Sequence, residues 1–174
     1  DLYREGSSRF KEDPIFQDRA RQELLALQQG EPQARALWEA IGRISYQSFE
    51  EVYRLLGVRF DCVLGESFYQ NQLQPIYQAL TGLGIAVEDQ GALVVFHAEH
   101  PRFSQTPFII RKTDGASNYA STDLATVLYR AEHFKADEVI YVTDARQQDH
   151  FEQLFLTCEK WAQKAGVHFP RLRH

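Results

Sequence analysis

The 174-residue chain contains no methionine and only two cysteines, Cys62 and Cys158. Two thiols make neither a disulfide framework nor a four-cysteine metal site. Each lies in an apolar run, so both are expected as buried thiols in a reducing compartment. No apolar run approaches the ~20 residues of a membrane-spanning helix, and no charged-then-apolar signal segment opens the chain. A membrane partner is not expected, and the cytoplasm is the expected location. The GxGxxG and GxxxxGKS/T signatures are missing, which removes the common supports for dinucleotide and phosphate-loop binding. Positive charge is also short. A net charge of −5, from 19 Lys and Arg against 24 Asp and Glu, argues against a broad electrostatic nucleic-acid surface. A chain that opens at Asp1 without any methionine is expected to be an excised or processed piece of a longer protein.

What is present is globular in character. The chain is 44% hydrophobic and 13% aromatic, with the length of one domain and enough apolar residues for a core. Residues 1–57 read as helical. In DPIFQDRARQELLALQQG, Asp13 is an N-cap, Pro14 takes the first helical position and Gly30 is the stop. EPQARALWEAIGRIS repeats that design from Pro32, and SFEEVYRLLG offers a capping box of Ser48 with Glu51 before Gly57. These segments speak of packing, not chemistry.

After Gly57 the rhythm becomes strand, loop, helix. Val58–Gly65 reads as a strand, NQLQPIYQALTGLG as a helix with Pro75 in its first turn, and IAVEDQGALVVFHAEH as a hairpin about Glu88–Gly91. Pro107–Lys112 reads as a strand, Ser121–Phe134 as a helix, Glu138–Asp144 as a strand and Gln147–Gly166 as a helix. Such alternation suggests parallel crossover units in an α/β sheet, whose ligands bind beyond the carboxyl ends of the strands. His97 and His100 have no third ligand nearby and are expected on a hairpin surface; no metal site is expected.

Three strand ends deliver polar groups to one rim. Glu66 follows the first, Tyr119 and Asp123 the second, and Arg146, Gln147 and His150 the third. Two carboxylates, a phenol and an amide suit a guanidinium, whose planar fork donates to carboxylates and stacks on rings. Tyr119 and Asp123, four apart, share one helix face. Each residue also has an ordinary use. Asp123 favours a helix N-terminus by about 0.3–1 kcal/mol, Glu66 caps the next segment, Tyr119 packs half-buried, and His150 is a satisfied histidine on an apolar-periodic helix. Taken one residue at a time, spacing favours the ordinary uses; the convergence of these residues at successive strand ends brings the functional reading level with them.

The runs GVRFDCVLGESFY, IIRKTDGASNYASTDLATVLYR and VIYVTDARQQDHFEQLF, in this order, strongly resemble arginyl-tRNA synthetases, as does the helical WEAIGRISYQSFEEVY before them. The resemblance spans about the whole chain. Its most specific pieces are Gly65-Glu66-Ser67, Tyr119 with Asp123, and Arg146-Gln147 with His150. It implies an α/β fold that is part of a Rossmann-type parallel-sheet catalytic domain of class I. A helical segment over 1–57 would precede an α/β part over 58–174, with a small β-hairpin insertion at about 85–106. It implies activation of L-arginine by ATP, with Mg2+, and transfer of arginyl to the terminal ribose of tRNA(Arg). Glu66 and Asp123 match the guanidinium-facing carboxylates, Tyr119 the hydroxyl beside them, and Gln147 a residue near the amino-acid end. Ser67 and His150 are expected as active-site neighbours.

The departures carry information too. Neither a HIGH-like nor a KMSKS-like segment stands in these residues. No catalytic residue is therefore expected in the chain, and alone it is expected to be inactive. The rival expectation is a non-catalytic arginine-binding or interaction domain on the synthetase fold.

Overall fold

The computed structural model describes residues 2–174. They divide into two compact units, one ending at Cys62 and the other running from Val63 to His174. The first holds helices α1 (Leu2–Glu12), α2 (Pro14–Gln28) and α3 (Pro32–Leu56). Helix α2 begins as predicted: Asp13 accepts from the N–H groups of Ile15 and Phe16 at 3.0 and 3.1 Å. Pro14 fills the first helical position, where its missing N–H loses no bond. Helix α3 differs from expectation. It runs unbroken through Ser48, whose hydroxyl donates to the Ile44 carbonyl at 3.2 Å instead of capping a new helix. No proline or turn residue interrupts the ladder there, so the local capping pattern loses to continuity. The end comes at Gly57, where φ is 68°. The N–H groups of Gly57 and Val58 bond the Arg54 and Tyr53 carbonyls at 3.3 and 2.8 Å, a Schellman arrangement.

Val58–Gly65, expected as a strand, forms none. No strand among the described residues pairs with it, and β-propensity without a ladder partner leaves backbone groups unpaired. Cys62, expected buried, is exposed there, whereas Cys158 is buried.

In the second unit a 3-10 turn over Glu66–Gln72 leads into α4 (Leu73–Gly82), with Pro75 in its first turn. Strands β1 (Ala86–Asp89) and β2 (Ala92–Val95) form the expected hairpin. Its turn uses Gln90 and Gly91 at φ 48° and 83°, the left-handed pair that a two-residue hairpin loop needs. Strand β3 (Phe108–Arg111) departs from the parallel-crossover reading: it pairs antiparallel with β2. The connector over 96–107 holds turns and bends but no helix, so it cannot carry a parallel crossover and folds back instead. The connector also corrects the expectation for His97. It lies over the last long helix, so His97 is 2% exposed, not a surface residue.

Helix α5 (Tyr119–Tyr129) starts two residues ahead of the expected Ser121 and relaxes into a π-helical turn over Arg130–Phe134. Strand β4 (Glu138–Ile140) is shorter than expected. After α6 (Gln148–Ala165) comes β5 (Arg171–Arg173), an element missed from sequence, which pairs parallel with β4. The architecture is α/β. Its sheets among the described residues are one antiparallel, of three strands, and one parallel, of two. Helix α5 is the centre of this unit: Ala120, Leu124, Ala125 and Val127 are buried within a cluster that includes Leu80 of α4, Ile110 of β3 and Leu154 of α6. Each such leucine or isoleucine, fully buried, stabilises by about 1.5–3 kcal/mol.

Candidate functional site

The start of α5 is fixed before any site residue appears. Asn118 Oδ1 accepts from the Ser121 N–H, Ser121 Oγ accepts from the Asn118 N–H, and both distances are 3.2 Å. This reciprocal cap is itself tied to β3. Asn118 Nδ2 donates to the Ile109 carbonyl at 2.8 Å, and Ser121 Oγ donates to the Ile110 carbonyl. The Tyr77 hydroxyl of α4 donates to Ser121 Oγ at 2.8 Å. The first turn of α5, carrying Tyr119 and then Asp123, is thus held against both β3 and α4.

From the other side comes α6, whose first turn supplies His150. Its Nε2 lies 2.6 Å from Asp123 Oδ2. The two side chains are 11% and 27% exposed, so the contact is only partly shielded from water. The Tyr119 ring meets the imidazole edge-on with centroids 4.5 Å apart, and Phe108 stands 5.6 Å away. Tyr119 itself is 61% exposed. Its ring is presented to solvent, not packed in the core.

An open cleft of about 770 Å³ runs past this group, with Glu66, Phe108, Tyr119, Arg146, Asp149 and His150 among its walls. Of the residues predicted from sequence, Glu66, Tyr119 and His150 therefore share one cleft. Asp123 is not part of the wall but meets it through His150. Gln147 and Ser67 are exposed outside it. Arg146 is already engaged: its guanidinium donates to Asp144 from Nε at 2.9 Å and from Nη2 at 3.0 Å. Hydrogen bonding by Arg146, from side chain first and backbone second, holds the Asp144 carboxyl below its usual value.

Sequence reasoning missed the residues that fasten α6. Arg102, in the β2–β3 connector, donates from Nη1 to Asp149 at 2.8 Å and from Nη2 to Glu152. His100 Nε2 lies 3.1 Å from Glu152. Further along, His97 Nε2 meets Thr157 Oγ1 at 3.3 Å, and Lys160 donates to the Phe96 carbonyl at 2.5 Å. Also missed was Tyr141, which follows β4. Burial drives its phenol well above the ordinary value, with Arg130 opposing and Asp123 reinforcing the shift. No periodicity signals these partners, because they are far apart in sequence. Among the described residues no group of three His, Cys, Asp or Glu is placed to hold a metal ion, and no helix is long and apolar enough to cross a membrane.

Residues 1–171 match the family described as tRNA synthetases class I (R), catalytic domain. The chain belongs to that family. It is 43% identical over 167 residues to an arginine-tRNA ligase of Thermosynechococcus vestitus, covering 95% of this chain and 28% of that protein. It is 44% identical over 174 residues to an arginine-tRNA ligase of Cyanothece, covering 99% and 29%. Among solved structures, the arginyl-tRNA synthetase of Plasmodium falciparum matches with a TM-score of 0.74 at 26% identity, over 96% of this chain and 31% of that one. The chain thus spans under a third of the length of these relatives, and the resemblance read from its sequence is borne out as a family membership.

Proposed function

We propose that this segment forms the arginine-recognising part of an arginine-tRNA ligase, within a Rossmann-type catalytic domain whose remaining strands lie outside these residues. The observation that carries the reading is the joint placement of Tyr119, Asp123 and His150, with Glu66 on the same cleft. Asp123 has one oxygen on His150, and the other, behind the wall and not in it, is assigned to a guanidinium N–H; Glu66, on the wall itself, adds a second carboxylate. The exposed Tyr119 ring offers a face for the planar cation and a hydroxyl acceptor. A neutral analogue such as citrulline would leave the carboxylates without a charged partner, and lysine would bring charge without the fork. Gln147, exposed and outside the cleft wall, is assigned to the amino-acid end of the substrate.

In the whole protein, the arginine carboxylate attacks the α-phosphorus of ATP and displaces pyrophosphate. A terminal ribose hydroxyl of tRNA(Arg) then attacks the adenylate carbonyl and displaces AMP. The residues described here bind and orient arginine for both steps. In this reading Mg2+ accompanies ATP as part of the substrate. The cytoplasm is the setting in this reading.

The test is Asp123→Asn in the whole protein. Loss of a charge-assisted hydrogen bond worth about 1.5–3 kcal/mol raises the KM for arginine roughly 10- to 100-fold, while the KM for ATP stays level. An unchanged KM for arginine refutes the assignment.

A further inference from the structure

We propose that Arg102 is a positioning residue for the His150–Asp123 pair, acting through the first turn of α6. The inference rests on the arginine reading above, because it names a residue that serves that site from outside it.

The first turn of α6 has no side-chain cap: its N-cap, Gln147, makes no capping hydrogen bond. Asp144 caps only the 3-10 turn before it, accepting from the Arg146 N–H at 2.9 Å, and the side-chain grip on the first turn of α6 itself comes from Arg102. One guanidinium grips Asp149 at 2.8 Å and also Glu152, one position before His150 and two positions after it. The guanidinium lies over the Phe103 ring at 5.0 Å, and His100 stacks on that ring at 4.6 Å while its Nε2 meets Glu152. From this gripped turn His150 reaches to Asp123 on α5. The same connector follows α6 further, through His97 to Thr157 and the Phe96 carbonyl to Lys160. These contacts fix the rotation of α6 about its own axis.

Rotation matters because the His150–Asp123 contact is short-range. An imidazole nitrogen roughly 7 Å from a helix axis moves about 2.5 Å when the helix turns by about 20°, which breaks a hydrogen bond. The apolar anchors Leu154, Cys158 and Trp161 lie in later turns. In the first turn only Phe151 is buried. Arg102 is also half-exposed, with 49% of its side chain accessible, so its ion pairs contribute little to global stability. A large effect on the arginine site with a small effect on unfolding is the signature expected of positioning.

The experiment is a double-mutant cycle in the whole protein, read as the KM for arginine and for ATP. Arg102→Gln is expected to raise the KM for arginine roughly threefold or more, in the range for residues of one network, with the KM for ATP unchanged. Combined with His150→Gln, it is expected to add little further, since both act on the same contact. Arg102→Lys, which keeps the charge without the fork, should recover part of the loss. Asp123→Asn is the control for the underlying reading. If it leaves the KM for arginine unaltered, the arginine reading fails and this inference with it. If it raises that KM while Arg102→Gln and His150→Gln multiply independently, the arginine reading stands and the positioning role is overturned. If Arg102→Gln does not fold, Asp149→Asn and Glu152→Gln remove its partners one at a time. Coupling of either to His150→Gln supports the role, and independence of both overturns it.

Discussion

Replacing Ser121 by alanine removes one oxygen atom from a fully buried position. That oxygen makes four contacts, one of them a second donation to Asn118 Oδ1 at 3.2 Å. It accepts from the Tyr77 hydroxyl at 2.8 Å and from the Asn118 N–H at 3.2 Å, and it donates to the Ile110 carbonyl. Tyr77 is only 7% exposed, so water cannot readily replace the lost acceptor. A buried polar group left unpaired costs about 1–3 kcal/mol, and the lost hydrogen bond from the Asn118 N–H adds about 0.5–1.5 kcal/mol. The expected loss is on the order of 3–4 kcal/mol. Denaturant unfolding followed by near-ultraviolet circular dichroism measures it. Tyr77→Phe should destabilise the parent by about 1 kcal/mol, yet it should recover a similar amount in the Ser121→Ala background, because it deletes the stranded hydroxyl. Burial raises the Tyr77 phenol above its ordinary value, with the Ser121 bond and Arg111 opposing. The donor therefore stays protonated through neutral pH, and both results should hold there. A loss under about 1 kcal/mol for Ser121→Ala, or a further loss on adding Tyr77→Phe, would refute the argument.

Two further outcomes follow from single residues. Burial first, then the charges of Lys160 and His100, lowers the His97 pKa from 6.5 to about 4. The neutral ring is the one that suits the fold, so its contribution is complete above 6.5 and drains away as pH falls towards about 4. That loss amounts to up to about 3 kcal/mol. His97→Phe should flatten the slope of stability against pH across that window, and an unaltered slope would count against the assignment. At Gly166, which ends α6 with φ at 67°, an added Cβ meets no atom within 4 Å. Gly166→Ala should therefore cost only the left-handed backbone term, about 1 kcal/mol. Equal midpoints and slopes in urea would sink that account.

Local signals were legible where a few neighbouring residues settle the matter. Asp13 with Pro14 marks the start of α2, Gly57 the end of α3, and Glu88–Gly91 the hairpin, whose turn residues are Gln90 and Gly91. The helix that brings Tyr119 and Asp123 to one face was read correctly, though its start was placed at Ser121. The true start depends on Asn118 bonding to β3, a partner that helix periodicity does not encode. The strand assigned to Val58–Gly65 failed for a similar reason, because a strand exists only with a neighbour to pair with. Pro107–Lys112 was correctly read as extended, but parallel or antiparallel pairing is decided by the connector before it. In the site, strand ends pointed to Glu66, Tyr119 and His150, which line one cleft, while the bond that joins His150 to Asp123 had no signal. Arg102 was invisible for the same cause: its partners are 47 and 50 positions away.

Those separations have a consequence in time. The polar contacts along α6 link residues 47, 50, 60, 64 and 81 positions apart. Loops of that size close slowly compared with the turns of a helix. α5 can take up its cap on β3 across only nine positions, whereas the fastening of α6 waits until most of the unit has been assembled. The imidazole–carboxylate pair closes a loop of only 27 positions, so by the same measure it can form before the connector fastens α6. Its presence therefore reports that α5 and α6 have met, and the contacts of Arg102, His97 and Lys160 report that the rest of the unit has closed over them.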